Sequence, residues 1–390
     1  MTIEPSRTHA PLDLLVIGGG VMGLFTAYQA SRRQARVAVI EAGEIGDPMT
    51  ASFGRTRSYR RDYLEAGYTR FADEAVRLWT EFETETGAEV LVRCGCMNIA
   101  SRKITPDLEN TYATLSTTVL NRLGIPVTSF DTEGIAARFP YLQADLGDLD
   151  PVGGLVDLRT VTATLQKSLA EAGVTVHERT STTAIETGEG LVTVTTSAGT
   201  FTTRSLVITA GHGTNDVLKL LPGNQLQVPI TKDRPSEARY YTPPAETRHL
   251  YTSDQMPVMA YLDTGIYLHP IVEGVLDAVK IGFYNPPDMP RGTTSINSVG
   301  DFVEQCLPGL LEAESTPVTD VDGCDYDLVA DDDFVLGPVP GQPGVYVGVG
   351  WRGTGYKYAP WVGRVLAELA CQEGTVYDVA RFNPGRFVTP

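Results

Sequence analysis

Cys324 stands in the run DVDGCDYDLV, a single thiol among aspartates, with no second cysteine close enough in sequence for a disulfide or a metal pair. Neighbouring carboxylates raise a thiol's pKa and weaken it as a nucleophile. Cys324 is therefore either a small packing residue or the partner of one specific electrophile. Gly18, Gly20 and Gly23 make G-x-G-x-x-G within VIGGGVMG, a spacing that lets a backbone turn tightly and approach a pyrophosphate. Cations recur in three places: Arg57 and Arg60 in GRTRSYRR, Lys280 between Val279 and Ile281, and Lys357 in GTGYKYAP. A buried carboxylate needs paired, hydrogen-bonded cations, and arginine offers a two-pronged fork. The bland alternatives are that the arginines are solvated and that Lys280 points to water from the alternate face of a strand. Cys94 and Cys96 form C-x-C, but no second Cys/His cluster offers the remaining zinc ligands, so packing is expected there.

The elements that must position these residues are legible around them. Leu12–Ile17 is a short apolar run bounded by glycine, as a buried parallel strand should be. A helix follows to about Arg33, then a second apolar strand, Arg36 to Ile40, which ends in Glu41. This strand, glycine loop, helix, strand and acid form a complete nucleotide-binding unit. Its helix N-terminus offers N–H groups to phosphates, and Glu41 can accept from ribose hydroxyls. The motif does not choose between FAD and NAD. Residues 52–63 read as a basic loop. From Tyr68 to Glu85, Phe71, Ala75, Leu78, Trp79 and Phe82 recur at helical spacing.

Near residue 155 the pattern gives a helix and then a strand. A hairpin follows, and then a buried strand, Leu206 to Thr209, that stops at Gly211 and is expected to return to the first sheet. GIYLHPI and LDAVKIGFY read as strands, and INSVGDFVEQCLPGLL as a helix. Next come a strand, a glycine-rich loop and a helix opening near Pro360, where proline is favourable. The nucleotide-binding domain is thus discontinuous, with a second domain threaded through it.

The chain has 390 residues, a formal net charge of -17 and a sequence pI of about 4.7. Such a surface repels nucleic acid and anionic membranes, while local cations can still hold a small anionic substrate. MTIEPSRTHAPL lacks the apolar core of a signal peptide, and five scattered cysteines make no disulfide framework. A cytoplasmic protein with reduced thiols is expected.

Four motifs occur in a telling order: VIGGGVMG, GRTRSYR, GCDYDLVADDDFVLGP and GTGYKYAP. Together they resemble the D-amino acid oxidase superfamily, and within it the monomeric sarcosine oxidase group. That resemblance implies an α/β fold. A Rossmann-like FAD-binding domain of the glutathione reductase type, formed by residues 1–90, 150–225 and 320–390, would be interleaved with an α+β substrate domain carrying a mixed sheet, residues 91–149 and 226–319. It also implies FAD held through Gly18, Gly20, Gly23, Glu41, Thr56, Arg57, Gly211, Trp351, Gly353, Gly355 and Lys357, with covalent attachment to Cys324, two residues before Tyr326. Arg60 and Lys357 would hold a substrate carboxylate, and Arg57 would stabilise the reduced flavin. Lys280 would sit near the flavin N5 and favour reduction of oxygen. Tyr326 would complete the catalytic set. The helix opening near Pro360 would add positive charge toward the flavin.

The chain departs from the group's pattern at Tyr284, where the group carries histidine, and at Leu268 and His269, in place of an aromatic pocket residue. Trp351 stands where sarcosine oxidases carry phenylalanine. With the YDVARFNP ending, Trp351 is similar to the cyclic imino acid oxidases of nucleoside antibiotic pathways. The substrate pocket would then include Arg60, Lys357, Trp351, Leu268, His269 and Tyr284. The expected activity is oxidation of a small α-amino acid, an N-methyl or cyclic secondary amine, to an imine, with O2 reduced to H2O2 by a monomer. Two rivals differ in colour and product. A NAD-dependent dehydrogenase would be colourless, and a non-catalytic flavin-binding protein would release no peroxide.

Overall fold

Leu12–Ile17 becomes the middle strand of a parallel sheet, between Val37–Ile40 on one side and Gly199–Ile208 on the other, with Ile17 level with both Ile40 and Ile208. Thr175–His177 extends the sheet at one edge and Val345–Val349 at the other. Antiparallel strands Thr182–Gly188, Leu191–Thr196 and Val335–Pro338 bring it to eight. The computed structural model describes residues 10–233, 238–283, 295–317 and 326–388. Leu14, Leu15 and Val16 are fully buried because helices or side chains cover both faces, which is why this strand reads as an unbroken apolar run.

Helix Val21–Ser31 buries all its residues from Val21 to Ala30. A helix covered on every side shows no amphipathic stripe. It packs against the C-terminal helix Ala359–Ala370 so closely that a Cβ at Gly363 would lie 2.6 Å from the Phe25 backbone. Helix Ala66–Thr86 turns Tyr68, Ala72, Ala75, Leu78, Trp79 and Phe82 inward and ends at the left-handed Gly87, φ 69°. Trp79 Nε1 donates to the Lys357 carbonyl at 2.8 Å, which ties this helix to the glycine-rich loop near the C-terminus.

A second eight-stranded sheet is mixed. Its order is Glu314–Pro317, Ala238–Thr242, Val279–Phe283, Ile266–His269, Val258–Tyr261, Cys96–Ala100, Leu146–Asp150, Thr128–Asp131. The step from Val258–Tyr261 to Cys96–Ala100 is parallel and the others are antiparallel. Val279, Ile281, Ile266 and Leu268 pack into a core with Phe302, Val303 and Leu310 from helix Val299–Cys306 and the turn after it. Strand alternation then sends Lys280, Tyr267 and His269 to the opposite face. No helix among the described residues is long and apolar enough to cross a membrane.

One expected element is corrected. Residues 52–63 are not simply a loop, because Thr56–Tyr59 is a strand. It pairs antiparallel with Gly154–Asp157, which Leu91–Val92 joins from the other side. The partner lies about a hundred residues away in sequence, and four residues, one of them the cation Arg57, carry too little periodicity to declare a strand locally.

Candidate active site

The glycine loop forms a cradle with no room for a side chain at Gly18 or Gly23. Gly18 has φ 108°, and a Cβ there would press into the Thr209 carbonyl. A Cβ at Gly23 would overlap the carbonyl oxygen of Gly18, so Gly23 lies beneath the loop and sets the closeness of helix to strand. Gly20 caps the helix without a side chain, and the Val21 N–H donates to Ser52 Oγ at 2.9 Å. Glu41 accepts the Gly19 N–H at 2.6 Å and the Gly43 N–H at 2.7 Å, which fixes its carboxylate at the end of the second strand.

The strand Thr56–Tyr59 carries the basic motif along one wall. Arg57 is held by the carbonyls of Phe53, at 2.8 Å, and Thr56, at 3.1 Å. Arg60 is buried, and its Nη1 donates to Asp62 Oδ2 at 3.0 Å, to the Asp62 carbonyl and to the Tyr112 hydroxyl at 3.4 Å. The Tyr63 ring lies 4.4 Å from its guanidinium carbon. Burial opposes the charge on Arg60, but Asp62, Tyr112 and Tyr63 together outweigh it, and burial raises Asp62 against the pull of Arg60. Asn98 Nδ2 completes the cluster on Asp62 Oδ2. Arg61 turns elsewhere, into a two-pronged pair with Asp150 at 2.6 and 2.9 Å.

The C-terminal loop is anchored by a residue that sequence reasoning missed. Asp327, on strand Tyr326–Val329, accepts the Gly350 N–H at 2.9 Å and the Trp351 N–H at 3.0 Å, while its carbonyl accepts from the Arg352 N–H at 3.2 Å. Burial pushes its carboxyl up to about 6, against the pull of those two N–H groups. The loop needs this anchor because Gly350, Arg352 and Gly353 all hold positive φ, at 81°, 58° and 66°. A Cβ at Gly353 would touch the Tyr326 ring at 3.0 Å, and one at Gly355 would overlap Trp351. Lys357 is buried, and its Nζ donates to the Thr354 carbonyl at 3.0 Å. Burial lowers its pKa; Tyr63 opposes that shift and Arg60 adds to it.

On the mixed sheet, Lys280 and His269 are directly opposed across neighbouring strands. His269 Nδ1 is 2.9 Å from Thr56 Oγ1. Burial, then the charges of Lys280 and Arg57, hold the imidazole neutral, well below the ordinary histidine range.

These parts surround one cavity of about 820 Å³, in the upper part of the range for small-molecule and cofactor sites. Of the residues expected in the site, Gly18, Gly20, Glu41, Thr56, Arg57, Arg60, Gly211, His269, Lys280, Tyr326, Trp351, Gly353, Gly355 and Lys357 line it. Leu268 does not. It is fully buried in the opposite face of the sheet, and Tyr267 takes its place on the cavity wall, because side chains alternate along the strand. That alternation was readable from the sequence once His269 was placed in the cavity. Cys324 and Tyr284 lie outside the described residues. Asp62 gave no local signal, since its role comes from folding back onto Arg60.

The cavity fits FAD. Gly18 and Gly23 leave no room for side chains, an acid closes the second strand, and the buried cations Arg60, Lys280 and Lys357 line the same cavity. Residues 13–369 match the DAO family, FAD dependent oxidoreductase. Peroxisomal sarcosine oxidase of Mus musculus is 30% identical, over 97% of this chain and 96% of the relative. N-methyl-L-tryptophan oxidase of Yersinia pestis (strain Pestoides F) is 25% identical, over 96% of this chain and 99% of the relative. Among solved structures, L-proline dehydrogenase from P. horikoshii shares the fold with a TM-score of 0.77 at 20% identity, over 97% of this chain and 98% of that one. A glycine cradle, an acid at the second strand and a match across nearly the whole length agree: the chain belongs to the family of FAD dependent oxidoreductases.

Proposed function

We propose that the protein oxidises the C–N bond of a small α-amino acid, a secondary amine of the N-methyl or cyclic type, to an imine, with O2 reduced to H2O2. The observation that carries this is the convergence of two buried cations, Arg60 and Lys357, on one cavity beside the glycine loop. Arg60 uses Nη1 for Asp62 and Tyr112, and its Nε and Nη2 have no hydrogen-bond partner among the described residues. That free edge matches a carboxylate, and the Lys357 ammonium adds a second donor. Met259, Ala260, Leu262 and Tyr267 line the same cavity and suit a small, largely apolar body. Both mammalian and bacterial relatives reported above are named for N-methyl amino acids.

FAD, when bound, would supply a two-electron acceptor for the hydride equivalent of the C–H beside nitrogen, with oxygen as the final acceptor. The protein's part is electrostatic and steric. Arg60 and Lys357 orient the carboxylate and disfavour the ammonium form of the amine. Lys280 and Arg57 place positive charge where negative charge develops. Glu41 is positioned for ribose hydroxyls, and Trp351 and Tyr326 wall the cavity. We propose Cys324 as a covalent tether, since Tyr326, two residues on, lines the cavity. The strands of the parallel sheet come from residues 12–40, 175–208 and 335–349, and those of the mixed sheet from 96–150 and 238–317. This pattern supports the interleaved division into 1–90, 150–225 and 320–390 against 91–149 and 226–319. A monomer in a reducing, cytoplasmic setting is part of the same proposal; the four described cysteines are all free.

The test is anaerobic mixing of the yellow protein with N-methylglycine, N-methyl-L-tryptophan and L-proline. Bleaching by at least one, followed by recovery of colour and one peroxide per cycle in air, is expected. If all three leave the spectrum unchanged, the proposal is wrong.

A further inference from the structure

His269 has a setting that carboxylate binding does not explain. It is buried, it lines the cavity, and its Nδ1 is taken by Thr56. Its Nε2 has no hydrogen-bond partner among the described residues. The extended run from Thr56 to Arg60 advances roughly 3.3 Å per residue, so the two positions stand roughly 13 Å apart along the backbone. Arg60 turns its guanidinium onto Asp62 and Tyr112, and Lys357 interacts with that same end of the run through Tyr63 and Arg60. An amino acid whose carboxylate is held there has its nitrogen two bonds from the carboxylate carbon, far from His269.

The groups that do face His269 are of another kind. Lys280 is directly opposite on the neighbouring strand. Arg57 and Thr56 come from the strand Thr56–Tyr59, and the Tyr267 ring on its own strand is 5.3 Å away. Beyond Lys280 the Tyr240 ring lies 6.0 Å from Nζ. A neutral imidazole beside two cations suits a small molecule that gains negative charge and then needs a proton.

We propose that His269 is a catalytic proton carrier for the reduction of oxygen, working at the Lys280 side of the cavity; this rests on the oxidase function proposed above. The proton count is closed. The substrate C–H leaves as a hydride equivalent with both electrons, and O2 receiving that equivalent becomes HO2⁻. The substrate N–H proton leaves separately as the imine forms. With Nδ1–H donating to Thr56 Oγ1, the Nε2 lone pair takes up that proton from the cavity's water. It then gives it to HO2⁻: the Nε2–H bond breaks, the O–H bond of H2O2 forms, and the imidazole returns to neutral. The depressed basicity of His269 makes its protonated form a short-lived, strong donor.

The holoenzyme is reduced anaerobically with dithionite, which needs no amine, and mixed with O2. His269→Asn should slow reoxidation about 10²-fold, the ordinary scale for loss of a general acid, with partial rescue by added imidazole. Imidazole ¹⁵N NMR supplies a readout independent of turnover. The His269 signal, identified among the chain's five histidines by its loss in His269→Asn, should stay neutral with the proton on Nδ1 throughout the ordinary histidine titration range, and Lys280→Met should move its titration upward. Unchanged reoxidation in His269→Asn, or titration of His269 in the ordinary histidine range in the wild type, overturns the proposal. Should no amine bleach the flavin while His269→Asn still slows reoxidation, the substrate assignment fails and the proton carrier stands.

Discussion

Asp327→Asn separates the electrostatic cost of anchoring the C-terminal glycine loop from its geometric benefit. The Asp327 side chain accepts two loop N–H groups at 2.9 and 3.0 Å, yet burial outweighs them and its carboxyl stands at about 6 instead of 3.8. A gap of about two pKa units corresponds to about 3 kcal/mol between its two protonation states. Because the folded value lies above the unfolded one, this carboxyl's contribution to stability is fully present below the unfolded value. It is lost as pH rises through 4 to 6, and above that the ionised group costs about 3 kcal/mol relative to acid pH.

Asparagine does not ionise, so that component disappears in the variant. Its amide keeps one acceptor and turns N–H groups toward the other loop N–H, which leaves a buried donor unpaired at about 1–3 kcal/mol, independent of pH. The difference in unfolding free energy between the wild type and Asp327→Asn should therefore move in the variant's favour by about 3 kcal/mol from pH 4 to pH 7, and stay level above. Urea unfolding of both holoproteins at a series of pH values measures it. A difference that does not vary with pH would refute the assignment of the raised carboxyl to Asp327.

Three further outcomes are expected. Gly23→Ala should abolish yellow colour in the purified protein, since its Cβ has no room against the Gly18 carbonyl; a fully flavinylated variant, read by absorbance, would contradict the close packing. Anaerobic flavin reduction by a substrate should accelerate with pH along an ionisation lying below that of the free amine, because Arg60 and Lys357 disfavour the ammonium; a stopped-flow rate that is flat between about pH 6 and 10 would count against their placement. Acid-denatured wild type should retain its flavin in the pellet and Cys324→Ala should release it. Release from both would remove the tether while leaving the cradle intact.

The nucleotide-binding half was readable because its signals are local. Gly18, Gly20, Gly23, the two apolar strands and Glu41 lie within thirty residues, and each answers to the backbone beside it. Lys280 and Lys357 were readable only as anomalies: a cation in an apolar strand, a cation after a glycine loop. Asp62 and Asp327 were not readable at all, because an acid among many acids becomes an anchor only when a distant segment folds onto it. Leu268 was misplaced by one position on a strand whose alternation could have corrected it.

Sequence by itself determined the parallel sheet, the phosphate cradle and the kinds of side chain available for chemistry, since these follow from short-range periodicity and from positions where only glycine fits. Tertiary structure alone decided which cations share a cavity, that Arg60 is partly neutralised by Asp62, that Asp327 holds the loop beneath Tyr326, and that His269 belongs with Lys280. Such pairings depend on strand register and on contacts between segments up to hundreds of residues apart. Burial then sets their charge states, through a desolvation cost that exists only once the chain has closed around them.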